Sequence, residues 1–172
     1  DISRVANIMP PLGLASISAY LTADGLENDI IDCYAHPDSD ELIRNYLVEH
    51  EPEFIGFSCT TSSFFDGVRI AEYAKELLPD IKVVFGGVHV SAVKEKIIED
   101  YPVVDFCVVG EGEQTMKELL TTESGRLSEV EGLVLKDGEQ LKFTGYRKKL
   151  LDLDTLPFPD YKKLAGYPKA YK

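Results

Sequence analysis

Short apolar runs alternate with segments of helical periodicity along most of the chain, and this alternation restricts the fold more than any other feature. The runs at 54–58, 82–85 and 104–109 are each followed by a segment with apolar residues at helical spacing. Near-continuous apolar strands separated by helices are typical of a parallel sheet covered on both faces. The sequence therefore predicts an α/β fold, a three-layer Rossmann-like or flavodoxin-like parallel sheet with helices on both faces.

The same alternation extends to both sides of these strands. Apolar residues at helical spacing predict a helix that ends at Asp24 and Gly25, and residues 28–33 read as a strand. Asp38 and Glu41 have the spacing of a capping box for the helix that follows. The remaining predicted helices lie at about 67–78, 93–98 and 113–120.

After about residue 127 the pattern changes. Residues 130–135 and 140–143 flank Asp137-Gly138, which predicts a β-hairpin with a type I′ turn. Further on, Pro157 and Pro159 exclude a helix or a central strand and predict an extended linker. The predicted divisions are a Rossmann-like domain at 1–126, a β-hairpin appendage at 127–150 and a linker at 151–172.

The beginning of the chain departs from the expected order. A doubly wound domain should begin with a strand, but residues 1–9 have apolar residues only at helical spacing. The first convincing element is a helix introduced by Pro10 and Pro11. We therefore expect that the first strand is missing and that both ends are cut from a larger protein.

Charge and cysteine content narrow the class of protein. The 172-residue chain has 18 basic and 30 acidic residues, a net charge of −12, so nucleic acid and anionic membranes are poor partners. No apolar run is long enough to span a membrane, and no secretion signal opens the chain. Three widely spaced cysteines lack the pairing of a zinc or iron–sulfur site, which favours a reducing cytoplasm.

Three unusual loops follow the three central strands. Residues 58–63 hold five hydroxyl side chains, residues 86–89 read Gly-Gly-Val-His, and residues 110–113 read Gly-Glu-Gly-Glu. Because parallel strands point the same way, these loops share the edge where open α/β sheets bind ligands. Each loop alone has an ordinary explanation as an N-cap or a turn, and their coincidence favours a ligand site.

Four motifs in order carry a resemblance to a known family. They are MPPLGLASISAYL at 9–21, FSCTTSS at 57–63, GGVHVSA at 86–92 and VVGEGEQTMKELL at 108–120. Together they resemble the cobalamin-binding domain found in front of cobalamin-dependent radical SAM enzymes, over roughly residues 9–160. In that family the exit that resembles residues 151–161 leads into a barrel with an iron–sulfur cluster motif.

The resemblance implies a corrinoid held against the carboxyl edge of the sheet. Its nucleotide tail would pass the hydroxyl loop and the Gly-Gly turn, and the ring would lie near the third loop and the start of the first helix. The residues that the resemblance implies are Ser58, Thr60, Thr61 and Ser62 for the tail, Gly86, Gly87 and His89 for the nucleotide or corrin rim, and Gly110, Glu111, Gly112, Leu12 and Gly13 for the ring.

One departure concerns the cobalt atom. Mutase-type cobalamin domains carry D-x-H-x-x-G, whose histidine ligates cobalt, whereas Asp32 and His36 here have the wrong spacing and no closing glycine. The resemblance therefore implies base-off cobalamin with no protein histidine on the metal. His89 is expected to hydrogen-bond the ligand tail or a neighbouring loop.

Two other functions fit parts of the pattern. A flavodoxin-like electron-transfer domain could use the hydroxyl loop for the FMN phosphate, although flavodoxins place that loop after the first strand. A receiver-like module would need acidic strand ends, and those ends here are Ser58, Gly86 and Gly110. The chain alone is expected to catalyse nothing, because it has no cluster cysteines, no motif that suggests a nucleophile and a base, and no metal-ligand spacing. The resemblance implies that S-adenosylmethionine and the 4Fe-4S cluster would bind a parent domain that is absent here.

Overall fold

A central sheet of five strands organises the described residues, which are 9–148 and 152–171 of a computed structural model. The strands lie in chain order, with β1 pairing β2 and β2 pairing β3 in parallel, and β4 pairing antiparallel with both β3 and β5. The strands are β1 Phe54–Ser58, β2 Lys82–Gly86, β3 Phe106–Val108, β4 Leu133–Asp137 and β5 Gln140–Phe143.

Helices cover both faces of this sheet, which confirms the predicted three-layer α/β fold. Alternate residues of β2 enter different cores: Val83 and Phe85 pack under α3, α4 and α5, while Val84 packs on the opposite face under α6. α1 packs on α6, and α2 packs on α3. The helices are α1 Leu12–Ala23, α2 Ser39–His50, α3 Phe64–Leu77, α4 Val88–Val93, α5 Glu95–Asp100 and α6 Glu113–Thr121.

The predicted hairpin is present, but it extends the main sheet instead of standing apart from it. β4 pairs with β3 through Cys107 and Val134, which are both fully buried. The turn is not of type I′, because only Gly138, its first central residue, has a positive φ, at 63°. Glu139 follows with a negative φ, the type II′ pattern, since its Cβ disfavours the left-handed region.

Two local expectations are wrong. Residues 28–33 form no strand; they contribute one isolated bridge, in which Ile30 pairs parallel with Leu164. The Asp32 carboxylate accepts a hydrogen bond from the nearby Tyr34 amide. The capping box is also absent, because Asp38 makes no side-chain bond at the start of α2.

The helix expected at 93–98 is also different, because two short helices occupy residues 88–100. α4 begins at Val88 and ends at Val93, and α5 begins at Glu95. The residue between them, Lys94, has a φ of 56° and a ψ of −122°, so the chain bends there. The prediction that the first strand is missing concerns the start of the chain, where residues 1–8 lie outside the described residues.

Part of the segment predicted as a linker packs against the domain. Leu164 is only 2% exposed, and the Lys163 ammonium donates to the Asn28 carbonyl at 2.9 Å. His36 Nε2 lies 3.2 Å from the Ala165 carbonyl oxygen. Phe158, in the Pro-rich stretch before this contact, is exposed. The segment therefore combines an exposed part with a docked part.

Leu164→Ala should destabilise the domain if this docking is part of the fold. Deleting a buried leucine side chain costs about 2–3 kcal/mol when its neighbours relax partly. Urea unfolding would measure the change. Leu153→Ala is the matched control, because Leu153 is exposed in the same segment and should leave the midpoint unchanged. Equal midpoints for both variants would show that the docked contact contributes no stability.

Among the described residues, no helix has the length and apolar character that crossing a membrane requires.

Candidate functional site

The hydroxyl loop after β1 packs directly on the Gly-Gly turn after β2. The Cys59 amide donates to the Gly86 carbonyl at 3.0 Å, which continues the pairing of Ser58 with Gly86. Gly87 has a φ of 97° and a ψ of −176°, and a Cβ there would lie 2.6 Å from the Cys59 carbonyl oxygen. Only glycine fits this position, so the double glycine serves a close contact between two loops.

The hydroxyl side chains of this loop bond to one another and not to the helix they precede. Thr60 Oγ1 lies 3.0 Å from Ser62 Oγ and 3.2 Å from Ser63 Oγ. Ser63 stands at the N-cap of α3 but makes no side-chain cap bond. The hydroxyls of this loop therefore do not serve as an N-cap for α3. The side chains that remain exposed are Ser58, Thr60, Thr61 and Ser62.

His89 joins the hydroxyl loop to α4. Its Nδ1 lies 3.1 Å from Thr61 Oγ1, and its ring packs on Phe64 with 4.7 Å between the ring centroids. The expected hydrogen bond to a neighbouring loop is thus present. These two contacts fix the imidazole and leave Nε2 as the ring nitrogen that Thr61 does not occupy.

The third loop is tied to α4 and to α1. The Gly110 amide donates to Ser91 Oγ at 3.1 Å, a contact that the sequence did not indicate because the predicted helix begins only at about residue 93. On the other side, Ser16 donates to Glu113 at 2.8 Å, and Gly112 faces the Ile17 side chain. These contacts bring the start of α1 to the third loop.

The three loops and the start of α1 therefore share one edge, as the sequence predicts for strands that point the same way. Backbone is bare there: an added Cβ would meet no heavy atom within 4 Å at Gly13 or Gly110. Apolar side chains stand out from the same edge, with Leu12 59% exposed and Val88 73% exposed. Val88 was not among the predicted residues, although its place between glycine and histidine could have indicated it.

The thiols near this edge are not ionised ligands or nucleophiles. Burial raises the pKa of Cys59 to about 11, against a weaker opposing hydrogen bond from Ser63, and burial raises the pKa of Cys107 to about 12. Both thiols are therefore neutral near pH 7. Within residues 9–148 and 152–171, no group of three or more His, Cys, Asp or Glu side chains is arranged to hold a metal ion.

An open α/β sheet with a bare, apolar-rimmed carboxyl edge defines a domain that binds a large ligand. The family model of the B12 binding domain matches residues 1–120 of the chain. The chain belongs to the B12-binding domain family.

Several curated relatives align with most of the chain. An uncharacterised methyltransferase, PH0819 of Pyrococcus horikoshii, is 32% identical over 88% of this chain and 33% of its own length. The anaerobic magnesium-protoporphyrin IX monomethyl ester cyclase of Rubrivivax gelatinosus is 31% identical over 72% of this chain and 23% of its own. The cobalamin-dependent radical SAM methyltransferase TokK of Streptomyces tokunonensis is 33% identical over 63% of this chain and 16% of its own. The chain thus spans a third or less of these relatives.

A solved structure supports the fold. The radical S-adenosylmethionine methyltransferase TsrM of Kitasatospora setae, which was solved with cobalamin and a 4Fe-4S cluster bound, matches with a TM-score of 0.69. The match covers 88% of this chain and 29% of that chain at 18% identity. None of these comparisons supports the FMN alternative.

The residues at the edge fit the chemistry of cobalamin. A broad planar ring needs an approach free of side chains, which the open positions at Gly13 and Gly110 provide. Leu12 and Val88 offer apolar contact beside that opening. The exposed hydroxyls of the first loop can donate to and accept from the amides and phosphate of the nucleotide tail.

Proposed function

We propose that these three loops and the start of α1 form the cobalamin-binding surface, and that the chain is the cofactor module of a larger radical SAM enzyme. The observation that carries the proposal is the convergence of the three loops on one bare edge in a member of the B12-binding family. When bound, cobalamin would supply the cobalt centre for methyl transfer or a radical rearrangement. The chain's own residues would bind and orient it.

Two groups of residues would have different tasks. The hydroxyl loop, which holds Ser58, Thr60, Thr61 and Ser62, would bond the polar nucleotide tail together with the backbone of Gly86 and Gly87. The other group would lie against the corrin ring. It comprises Leu12, Gly13, Gly110, Glu111 and Gly112. Val88 would add apolar contact at the same rim.

The histidines support base-off cobalamin without a protein ligand on cobalt. His36 is held by the Ala165 carbonyl in the docked C-terminal segment. His50 ends α2, just before β1 begins, and so lies at the opposite edge of the sheet. His89 is the histidine at the proposed site, and its contacts with Thr61 and Phe64 suit it to orient the tail.

The larger enzyme would be a methyltransferase or a cyclase whose barrel binds S-adenosylmethionine and a 4Fe-4S cluster. The activities of the longer relatives, two methyltransferases and a cyclase, support this. The free thiols and the acidic charge suit a reducing cytoplasm and disfavour nucleic acid as a partner. The chain alone would not cleave S-adenosylmethionine, which an assay for 5′-deoxyadenosine would check.

Cobalamin binding is tested directly by a visible spectrum. The purified chain is incubated with hydroxocobalamin or with FMN and then desalted. We expect corrinoid absorbance to remain with the protein at near-equal stoichiometry and flavin absorbance to be lost. Retention of FMN and loss of the corrinoid would reverse the assignment and favour an electron-transfer domain.

His89→Ala tests the role of the histidine. Losing one hydrogen bond to the tail or to its binding loop should raise the dissociation constant for hydroxocobalamin by about three- to tenfold. The cobalt absorption bands should stay as in the unchanged protein, because His89 is not expected on the metal. His50→Ala is the control and should bind normally. A shift of the cobalt bands in His89→Ala would instead identify His89 as an axial ligand.

A further inference from the structure

The helix that carries His89 is bounded at both ends by residues with positive φ. α4 follows Gly87, at 97°, and ends before Lys94, at 56°. Glycine adopts such a φ without strain, but lysine has a Cβ and does not. Strained backbone of this kind persists only where the surrounding structure holds it, and it is concentrated at ligand sites. The contacts of Lys94 therefore indicate what holds α4.

The Lys94 side chain is held by two aromatic rings of the hairpin. Its Nζ lies 4.7 Å from the ring centroid of Tyr146 and 5.3 Å from that of Phe143. The two rings meet edge to face, with centroids 5.1 Å apart. Both distances are within the range in which an ammonium is attracted to an aromatic face. Phe143 ends β5, and Tyr146 lies in the segment after it. We call the contact of the Lys94 ammonium with these two rings the clamp. It joins the hairpin to the bend of the chain at Lys94.

The bend itself is closed by backbone bonds on both sides. The Lys94 amide donates to the Val90 carbonyl at 2.8 Å, which completes α4. The Lys94 carbonyl accepts from Ile97 at 2.9 Å, which begins α5. The two helices therefore meet at one residue, and the direction of α4 relative to the sheet depends on that residue.

α4 in turn connects all three loops of the cofactor edge, the edge of the sheet that the three loops share with the start of α1. It begins at the Gly-Gly turn, His89 contacts Thr61 of the hydroxyl loop, and Ser91 accepts from the Gly110 amide of the third loop. A change in the direction of α4 would move both contacts together. Lys94 itself makes neither of them and lies at the far end of the helix.

We propose that Lys94 is a positioning residue for the cobalamin edge: the clamp of its ammonium by Phe143 and Tyr146 holds the bend that aims His89 and Ser91 at their loops. The hairpin would thus stabilise the site, although the hairpin residues do not line it. The inference rests on the proposed function only where cobalamin is concerned. The effect on the loops is a property of the ligand-free protein.

The test compares Lys94→Met, which keeps the length and the Cβ but removes the ammonium, with Lys94→Arg, which restores a cation. The first readout is hydrogen exchange at the Gly110 amide without ligand. Loss of the clamp should accelerate that exchange roughly tenfold in Lys94→Met, and Lys94→Arg should return it to the wild-type rate. Lys136→Met, on the exposed part of the same hairpin, is the control and should not change it.

The second readout is hydroxocobalamin affinity, which should fall about three- to tenfold in Lys94→Met and recover in Lys94→Arg. If wild type binds no hydroxocobalamin while the Gly110 amide responds as expected, the proposed function fails and the positioning role stands. A wild-type Gly110 exchange rate in Lys94→Met, or the same acceleration in Lys136→Met, would overturn the role of Lys94.

A second pair of variants covers the case in which Lys94→Met unfolds. Tyr146→Leu removes one ring of the clamp from an exposed position, and Tyr146→Phe retains the ring. We expect faster Gly110 exchange in Tyr146→Leu and the wild-type rate in Tyr146→Phe. Equal exchange in both would contradict the clamp, because the ring is the group that attracts the ammonium.

Discussion

Arg147→Met should lower the free energy of unfolding by about 2–3 kcal/mol, because it removes a largely buried guanidinium that pairs with Glu118, whose side chain is 33% exposed, and that bonds two further acceptors. The Arg147 side chain is only 9% exposed, and its Nη2 lies 2.7 Å from Glu118 Oε2. It also donates to the Thr115 hydroxyl at 3.1 Å and to the Glu131 carbonyl at 3.0 Å. This one guanidinium therefore holds α6 to the segments on both sides of the hairpin.

Urea unfolding of Arg126→Met provides the comparison. Arg126 also forms a 2.7 Å ion pair, with Glu129, but its side chain is 65% exposed. An exposed pair of this kind contributes little, because water and salt screen it. We expect an unchanged midpoint for Arg126→Met and a large decrease for Arg147→Met. Similar midpoints for the two variants would show that burial of Arg147 does not set its contribution.

Gly87→Ala should have the second large effect, on folding and on cobalamin retention together. The added Cβ would lie 2.6 Å from the Cys59 carbonyl oxygen, at a backbone conformation that residues with a Cβ rarely adopt. Overpacking and backbone strain together should cost roughly 3 kcal/mol or more. The hydroxyl loop and the Gly-Gly turn would have to separate. We therefore expect hydroxocobalamin to be lost on desalting even under conditions where the variant is folded.

Gly25→Ala separates backbone strain from the steric contact with Cys59. Gly25 also has a positive φ, of 77°, but an added Cβ there would meet no heavy atom within 4 Å. It ends the α1 region and lies away from the three loops. Strain alone should cost about 1–2 kcal/mol and leave hydroxocobalamin binding intact. If Gly25→Ala and Gly87→Ala lose equal stability, the contact with Cys59 is not the reason that glycine is required.

The sequence predicts the loops of the site well because their placement depends on topology alone. Once β1, β2 and β3 are parallel, the residues after each strand must lie at the same edge. The double glycine at 86–87 could be read as a position of close approach, which the structure has between Gly87 and the backbone of Cys59. What remains a prediction is the contact of each residue with cobalamin.

The contact of Ser91 with the third loop could not be predicted, because it depends on where α4 begins. Gly86 and Gly87 indicate a turn there, and Val88 and Val90 are β-branched residues with low helix propensity. In the structure Val90 is fully buried, and its packing overrides that preference. The helix then starts five residues earlier than expected, which is what brings Ser91 to Gly110.

Residues 28–33 are a second case in which the local sequence pattern does not predict the structure. Ile30 and Ile31 have the apolar character of a strand, but the partner of Ile30 is Leu164, near the other end of the chain. Nothing in the neighbourhood of either segment indicates the other. The proline-rich stretch at 157–159 forms neither helix nor strand, and it gives no sign that the next residues dock.

That docked contact also has a consequence for the order of folding. The Lys163 ammonium and the Asn28 carbonyl it binds are 135 residues apart in sequence. Closing so long a loop is entropically costly, whereas β1, β2 and β3 can assemble from neighbouring segments. We expect the C-terminal segment to join the domain last on refolding and to detach first under mild denaturant. Pulse-labelling of amides 160–165 against those of β2 should therefore resolve two kinetic phases, a fast one for β2 and a slower one for the C-terminal segment.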